Sequence, residues 1–262
     1  MNFGICILSI VAVRDEPSEK SEMVSQLLFG ELLEVLEKNN NWVKIRQLFD
    51  NYIGWIDEKQ FLKLTDETFD KINGFPSNIT LDLVHVLENK SLDQLIPIVI
   101  GSSLPFLVKK TFYIEDHKYT YDGQIHDNKK KPERNDILEN AMMYFNTPYL
   151  WGGRTPFGID CSGFTQMVYK ISGIKLLRDA SQQITQGETI NFISEAQAGD
   201  LVFFDNEEEE IIHVGILIGN NEIIHASGKV RIDRIDHDGI YNQNLKKYTH
   251  RLRLIKKITN RI

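Results

Sequence analysis

Residues 149–164 read YLWGGRTPFGIDCSGF, and this stretch decides the fold of the C-terminal part of the chain. It is rich in glycine and aromatic residues, and it leads directly into FTQMVYKISG at residues 164–173, whose apolar residues have helical spacing. The pattern predicts a glycine-bearing loop followed by a helix that ends at Gly173. Cys161, one of only two cysteines, then lies in the first turn of that helix.

Further elements are predicted on both sides of this loop and helix. Residues 135–145, NDILENAMMYF, have helical spacing with one apolar face formed by Ile137, Leu138, Ala141, Met142 and Phe145. Three strand-like segments follow: GDLVFF at 199–204, HVGILIG at 213–219 and EIIHASG at 222–228. Residues 207–210, four glutamates, are expected to form an exposed turn between the first two strands. We therefore expect an α+β domain with helices packed on an antiparallel sheet.

The first 64 residues are dense in strand patterns. Residues 31–49 contain two apolar segments on either side of Asn39–Asn41, which is typical of a hairpin. A second turn at Asp50-Asn51 leads into YIGWID, where Gly54 indicates a bulge or a tight bend. Short strands separated by turns predict a small β-barrel, which at about 60 residues is marginal alone and is expected to dock onto a neighbouring domain.

A second small barrel is predicted after the first. LDLVHVLENK at residues 81–90 has a short helical pattern, and strand character returns between residues 94 and 124, with alternating Thr111, Tyr113, Tyr119 and Tyr121 around an Asp116-His117 turn. The polar segment at residues 127–132 is the best linker. The expected units are a small β-barrel at 1–64, a connecting helix with a second small barrel at 65–131, and an α+β domain at 132–262.

Composition limits the possible partners and compartments. The 262 residues carry a net charge of −7 and a sequence pI of about 5.6, which argues against a nucleic-acid partner. Cys6 and Cys161 follow neither a disulfide pattern nor a metal-binding pattern, which favours a reducing compartment. The apolar residues 1–13 lack the basic start and the cleavage site of an export signal, and they are too short to span a bilayer. We expect a cytoplasmic protein with no membrane partner, with weak secretion as the alternative.

Cys161 and two histidines form a candidate catalytic group. Peptide dipoles leave partial positive charge at a helix start, and this charge favours thiolate over thiol. His213, in HVGILIG, and His225, in HASG, lie on two of the predicted strands. If these strands are antiparallel neighbours joined by the turn Gly219-Asn220-Asn221, both imidazoles lie at one end of the sheet. The three side chains then form a nucleophile, a base and an orienting group that holds the base in its working tautomer.

Less specific interpretations of these residues stay open. A lone cysteine is more often a small buried apolar residue, and a strand histidine is usually structural or on the surface, which is how we interpret His85, His117, His126, His237 and His250. A metal site built from the cysteine and the two candidate histidines lacks the usual short ligand spacing. Serine is the other candidate nucleophile, since Ser162 adjoins Cys161 and Ser227 follows His225. Neither serine lies in a GxSxG motif.

Taken together and in order, the segments YLWGGRTPFGIDCSGF, AGDLVFF, HVGILIG and HASG resemble the NlpC-type papain-like cysteine peptidases, which cut bacterial cell-wall peptides. The resemblance covers about residues 135–262. It implies that Cys161 is the nucleophile, that His213 is the general base and that His225 orients the base. It also implies that no metal or organic cofactor is needed.

The N-terminal segments VRDEPS, GEL and YIGWI narrow the resemblance to the γ-D-glutamyl-L-diamino acid endopeptidases of the dipeptidyl-peptidase VI type. These are intracellular enzymes that act on released murein peptides during recycling. The resemblance implies a requirement for a free N-terminal L-Ala and cleavage after γ-D-Glu. It also implies that residues 1–64 form one bacterial SH3-like domain, that residues 65–131 hold a connecting helix and a second one, and that residues 132–262 form the catalytic domain. The first SH3-like domain would then close one end of the cleft.

The same resemblance assigns substrate-binding roles to eight residues. Asp160 would pair with the substrate ammonium, assisted by Tyr52, while Tyr149 and Trp151 would line the pocket. Ser162, Arg178, Asp179 and Ser181 would hold the D-Glu portion.

Each of these assignments has a structural alternative. Asp160 is also a good N-cap for the Cys161 helix, and the two roles are compatible because a carboxylate has two oxygens. A charged Asp160 would raise the pKa of the thiol, so the imidazole and the helix dipole must outweigh it. Tyr52 and Trp55 are also candidates for the barrel core, a role that we favour for Trp55. Arg178 and Asp179 could form a structural ion pair.

The sequence therefore predicts a cytoplasmic, monomeric cysteine endopeptidase that acts on murein-derived peptides. The first alternative is a secreted hydrolase that trims intact cell wall. The second is a non-catalytic protein that binds wall peptides through its SH3-like domains. The presence of Cys161, His213 and His225 argues against the second, because a binding protein has no use for all three.

Overall fold

The computed structural model describes residues 3–126 and 132–258. The chain forms two compact units, Met1–Lys130 and Lys131–Ile262. Most of the predicted linker, residues 127–131, lies outside the described residues. The division into three domains at residues 64 and 131 stays a prediction.

Within residues 3–126, the largest sheet of the N-terminal unit has seven strands: β1 (Phe3–Ile5), β2 (Ile10–Arg14), β3 (Met23–Leu28), β4 (Leu32–Asn39), β5 (Trp42–Gln47), β6 (Ile53–Asp57) and β7 (Leu62–Lys63). They pair antiparallel in the order β3-β2-β6-β5-β4-β1-β7. Asn40 and Asn51 have positive φ angles of 53° and 62° at the two predicted turns, which are confirmed. Alternate residues of β2 and β5 are buried in one core, as a half-buried strand requires.

The described remainder of this unit contains α1 (Asp66–Asn73), β8 (Asn78–Ile79), β9 (Val84–Asn89), β10 (Gln94–Val99), β11 (Ser103–Leu104), β12 (Thr111–Ile114) and β13 (His117–Thr120). Four strands form a sheet in the order β10-β9-β13-β12, and β8 pairs with β11. The predicted hairpin of β12 and β13 is confirmed. Its turn is one residue earlier than expected, because Ile114 already pairs with His117 across Glu115-Asp116.

The helix predicted within residues 81–90 is wrong, because Val84–Asn89 is strand β9. Val84 and Val86 are β-branched and therefore favour a strand. The whole strand also pairs with β10, and this tertiary pairing outweighs the short helical pattern. The connecting helix is α1 instead. Its N-cap Thr65 accepts a hydrogen bond from the Thr68 amide at 3.2 Å, and two acidic residues occupy its first turn.

The described residues of the C-terminal unit form α2 (Arg134–Met143), β14 (Arg154–Thr155), β15 (Gly158–Ile159), α3 (Cys161–Ile171), α4 (Ala180–Gln183), β16 (Glu188–Ile190), a 3₁₀ turn (Ile193–Glu195), β17 (Leu201–Asp205), β18 (Ile211–Gly219), β19 (Glu222–Ser227), β20 (Lys229–Ile235), β21 (Gly239–Asn242) and β22 (Lys247–Lys257). Most strands join one antiparallel sheet in the order β16-β22-β17-β18-β19-β20-β21. An additional pairing of β21 with β22 closes six of these strands into a barrel. The α+β class is confirmed.

The predicted elements of this unit are present, but four strands of its seven-stranded sheet were not predicted. Helices α2 and α3, strands β17–β19 and the exposed turn at residues 207–210 match the predictions. The sequence reasoning missed β16, β20, β21 and β22 of this sheet, and also the short strands β14 and β15. The apolar face of α2 also differs, because Ile137, Ala141 and Tyr144 are buried whereas Met142 and Phe145 are exposed. The buried residues follow the i, i+4, i+7 spacing of one narrow face.

Helix α3 is the central element of this unit. All eleven of its residues are buried, and it packs against β18 and β19. Gly173, with φ of +77°, ends the helix, and its amide and that of Ile174 donate to the carbonyls of Lys170 and Tyr169. None of the helices in the described ranges is long and apolar enough to cross a membrane.

Candidate active site

Cys161 is the first residue of α3, as the sequence predicts. The preceding Asp160 has extended backbone angles and caps the helix, since its Oδ1 accepts a hydrogen bond from the Gly163 amide at 2.6 Å. The Cys161 side chain is buried, with 8% of the residue exposed. Cys161 and Cys6 are both free thiols.

Two glycines allow the preceding loop to lie directly on the first turn of this helix. A Cβ on Gly163 would lie 2.3 Å from the carbonyl oxygen of Gly153, which is shorter than any van der Waals contact. The Asp160 amide donates to the same carbonyl at 3.3 Å. These contacts hold the loop against the helix start and fix the position of Cys161.

The two candidate histidines lie on the predicted hairpin. Asn220 and Asn221 both have positive φ angles, 54° and 58°, which is the geometry of a tight turn between β18 and β19. Gly215 pairs directly with His225, and His213 lies two residues before Gly215 on the same face of β18. His213 Nε2 and His225 Nδ1 are 2.8 Å apart, and both residues are buried.

The chain of contacts continues to Asp233 and Arg231, which the sequence reasoning missed. His225 Nε2 lies 3.0 Å from Asp233 Oδ2. Arg231 holds the same carboxylate with two nitrogens, Nε at 2.7 Å from Oδ2 and NH2 at 2.7 Å from Oδ1. Both ring nitrogens of His225 therefore have protein partners. This arrangement disfavours the alternative of a metal site, because a ligating imidazole needs a free ring nitrogen.

His250 lies against the candidate base. Its ring stacks on that of His213 with 4.2 Å between the centroids and 26° between the planes. The sequence reasoning grouped His250 with the structural histidines, but the structure places it at this site. Burial, and then the proximity of His225, lower the pKa of His250 to about 4, so it is neutral at pH 7.

Burial decides the charges of the candidate nucleophile and base. It raises the pKa of Cys161 to about 12, with a further increase from Asp160, and the Val214 backbone and Arg178 offset only part of this. The pKa of His213 lies well below its usual value because of burial and the neighbouring His225 and His250. These pKa shifts oppose the expectation that the helix start favours a thiolate. They favour a neutral thiol and a neutral imidazole in the resting site.

Asp160 also forms a buried ion pair. Arg178 donates from NH1 to Oδ1 at 3.0 Å and from NH2 to Oδ2 at 2.5 Å, while the Gly152 amide donates to Oδ2 at 2.9 Å. The N-cap alternative for Asp160 is confirmed. Arg178 pairs with this residue, and Asp179 caps α4 in a capping box with Gln182.

Two of the other predicted binding residues of this unit, Ser162 and Tyr149, lie close to the same helix start. Ser162 Oγ donates to Asp160 Oδ1 at 3.3 Å and accepts from Arg178 at 3.0 Å. Tyr149 is half-buried, and burial followed by the nearby charges of Cys161 and Asp160 raises its pKa to about 12. Trp151 is 60% exposed, and Ser181 is exposed as well.

Tyr52 belongs to the N-terminal unit, in the loop between β5 and β6. It is partly buried, and its carbonyl accepts a hydrogen bond from the Gln47 amide at 2.8 Å. Trp55 is 8% exposed, with the Lys44 ammonium 5.8 Å above its ring, in agreement with the core role expected for it. The binding role of Tyr52 stays a prediction.

A buried thiol at a helix start, packed on antiparallel strands that carry paired imidazoles, defines a papain-like cysteine peptidase. Comparison with known families agrees. Residues 146–252 match the NlpC/P60 family, and residues 13–61 match the bacterial dipeptidyl-peptidase SH3 domain. The C-terminal unit therefore contains an NlpC/P60 domain, the domain of a cysteine peptidase family, and a bacterial dipeptidyl-peptidase SH3 domain precedes it in the chain.

Characterised relatives extend over most of the chain. A γ-D-glutamyl-L-lysine dipeptidyl-peptidase of Bacillus cereus is 28% identical over 79% of this chain and 68% of its own length. Dipeptidyl-peptidase 6 of Lysinibacillus sphaericus is 26% identical over 92% of this chain and 95% of its own length. The crystal structure of an NlpC/P60 family protein from Bacillus cereus shares the fold, with a TM-score of 0.83, 20% identity and coverage of 98% and 99% of the two chains.

Proposed function

We propose that this protein is a cysteine endopeptidase that hydrolyses the bond between γ-D-Glu and an L-diamino acid in murein peptides with a free N-terminal L-Ala. The observation that carries the proposal is the buried set Cys161, His213 and His225 in a chain similar over most of its length to γ-D-glutamyl-L-lysine dipeptidyl-peptidases. Hydrolysis of peptidoglycan peptides is the coarser activity common to these relatives.

In the proposed mechanism, His213 is the general base. Its Nε2 faces His225, which leaves Nδ1 as the ring nitrogen that accepts the Cys161 proton. The thiolate formed in this step attacks the γ-D-Glu carbonyl carbon, and the Cys161 backbone N–H helps to hold the oxyanion. The imidazolium then protonates the leaving amine, which departs with its diamino acid. A water molecule, deprotonated by the same imidazole, hydrolyses the thioester and regenerates the thiol.

Recognition of the substrate ammonium is assigned to Asp160, with Tyr52 as its partner. Five donors from the described residues already surround the Asp160 carboxylate: the amides of Gly152 and Gly163, the Ser162 hydroxyl and two nitrogens of Arg178. An ionised carboxylate offers about four lone-pair sites, so its remaining capacity is smaller than the sequence suggested. Amine recognition is therefore the first part of the proposal to test.

The test uses L-Ala-γ-D-Glu-L-Lys, its diaminopimelate equivalent and N-acetylated versions of both. We expect cleavage of the free peptides only, and no cleavage by Cys161→Ala. Equal cleavage of the acetylated peptides would exclude amine recognition by Asp160 and Tyr52. Activity that survives in Cys161→Ala would exclude the proposed nucleophile.

We also propose that the protein acts as a monomer in the cytoplasm, on peptides already released from the wall. A requirement for a free amine supports this, because such an amine is a feature of released peptides. Isolated murein sacculi and released stem peptides, digested side by side, separate this role from that of a secreted wall hydrolase. Faster digestion of intact sacculi would support the secreted alternative.

A further inference from the structure

We propose that Asp233 is a positioning residue, which acts through His225 to fix the tautomers of both buried histidines so that His213 presents an unprotonated Nδ1 to Cys161. This inference rests on the proposed role of His213 as the base. Asp233 touches neither the thiol nor the base in the described contacts, and its hydrogen-bonded path to His213 runs through His225.

The first step concerns the proton on His225. Asp233 Oδ2 lies 3.0 Å from His225 Nε2, and an ionised carboxylate can only accept hydrogen bonds. The proton of a neutral His225 must therefore sit on Nε2. The opposite tautomer would bring a nitrogen lone pair against a buried carboxylate oxygen, which leaves both without a donor.

In the second step, the tautomer of His225 determines the tautomer of His213. With its proton on Nε2, His225 has a bare Nδ1, which lies 2.8 Å from His213 Nε2 and can only accept. His213 must then carry its own proton on Nε2. Its Nδ1 is consequently unprotonated, which is the state that a general base needs. If either proton moved to the other nitrogen, His213 would present an N–H to the thiol and could not accept its proton.

The third step keeps Asp233 ionised. Burial alone raises the pKa of this carboxyl, but the hydrogen bonds from His225 and Arg231 outweigh burial and hold it below its usual value. Both oxygens contact the Arg231 guanidinium at 2.7 Å. The carboxylate is thus fixed in charge and in orientation, and only 7% of the residue is exposed.

Strand pairing explains why these side chains meet. His225 on β19 pairs directly with Arg231 on β20, and Asp233 lies two residues further along the same face. One hairpin therefore carries the orienting histidine, the carboxylate and its cation. The next hairpin along the sheet adds the base.

The experiment compares wild type with Asp233→Asn, which keeps the side-chain shape but adds a donor, so that His225 can adopt either tautomer. Long-range ¹H–¹⁵N spectra of the histidine rings report which nitrogen carries the proton. We expect Nε2–H on both histidines in wild type and mixed tautomers in Asp233→Asn. We expect kcat for murein-peptide cleavage to fall at least about 10-fold in the variant, with KM changed less than about threefold.

Two further variants separate positioning from general loss of structure. Asp233→Glu retains an acceptor-only carboxylate and should keep the wild-type tautomers. Asp236→Asn removes another hydrogen-bonded carboxylate, whose partner is Tyr248, and should leave kcat unchanged. In a His225→Asn background, Asp233→Asn should have less than about a twofold further effect, because its hydrogen-bonded path to the base is gone.

Wild-type tautomers in a folded Asp233→Asn protein would overturn the proposal, and so would an undiminished effect of this substitution in the His225→Asn background. The ring spectra need no substrate. If wild type cleaves no murein peptide but the tautomers change as expected, the positioning role stands and the proposed function fails. If Asp233→Asn does not fold, Asp233→Glu decides: reversed or mixed tautomers there contradict the proposal.

Discussion

Burial acts on Cys161 and His213 in the direction that removes charge from both. A pKa of about 12 for the thiol and a lowered pKa for the imidazole favour a neutral pair at pH 7. We predict that the absorbance difference at about 240 nm between wild type and Cys161→Ser shows no thiolate band at pH 7, since thiolates but not thiols absorb there. A full thiolate band at pH 7 would mean that an ion pair forms before substrate binds.

Asp160 and Arg178 form a buried ion pair, in which 6% of Asp160 and 1% of Arg178 are exposed. Removing one partner leaves a buried charge uncompensated, so we predict that Arg178→Gln lowers the free energy of unfolding by about 3 kcal/mol. Asp160→Asn retains an N-cap but also breaks the pair. The double variant should lose less stability than the sum of the two single variants, as measured by urea unfolding. Additive losses would show that the two charges do not stabilise each other.

The sequence alone identified the site residues that lie in short segments with a clear local pattern. It did not identify the residues that tertiary structure brings to the site from other strands. Cys161 followed from the loop-to-helix pattern, and the closeness of His213 and His225 followed from the Asn220-Asn221 turn. Asp233 could have been found by extending the same two-residue periodicity across the next hairpin. His250 could not, because its position depends on how β22 closes the barrel.

At the scale of elements, Gly215 sets how closely β18 and β19 can present their histidines. A Cβ at this position would lie 2.9 Å from the Cβ of His225 and 2.7 Å from Ile223 Cδ1. We predict that Gly215→Ala destabilises the protein by about 1–3 kcal/mol, the usual cost of overpacking, and lowers kcat about 10-fold by displacing His225. Peptide cleavage and thermal unfolding measure the two effects separately.

The double variant Gly215→Ala with Ile223→Val tells the two contacts apart. Valine lacks the Cδ1 atom, so the substitution relieves that contact but leaves the new methyl group against His225. Stability should recover in part, while kcat should stay low. Full recovery of kcat would mean that crowding at Ile223, and not displacement of His225, causes the loss.

Element prediction succeeded where local pattern and tertiary pairing agree, and it failed where they compete. Helix α3 has helical spacing, an N-cap and a glycine stop, and all three are present in the structure. Residues 84–89 have a weak helical pattern, but six backbone pairings with β10 outweigh it. The last three strands lack a segment as distinctive as HVGILIG, so their number could not be read from the sequence.

At the scale of the whole molecule, two buried histidines and one partly buried histidine make the C-terminal unit sensitive to acid. In the fold, the pKa values of His213, His225 and His250 are all lowered, in each case first by burial. In the unfolded chain these groups titrate near their usual 6.5. As pH falls below 6.5, the unfolded state binds more protons than the folded state, so the free energy of unfolding decreases. For His250 this loss is complete near its folded pKa of about 4.

We therefore predict that hydrogen exchange between pH 6.5 and 4, corrected for the intrinsic pH dependence of the exchange rate, shows α3 and β17–β22 losing protection before β1–β7. The three histidines with lowered pKa values all lie in the C-terminal unit, so the acid effect should centre there. His250→Gln is the matched variant, because glutamine cannot take up the proton. Its loss of stability over the same pH range should be smaller than that of wild type. Equal losses in the two proteins would show that acid sensitivity arises from groups other than this histidine.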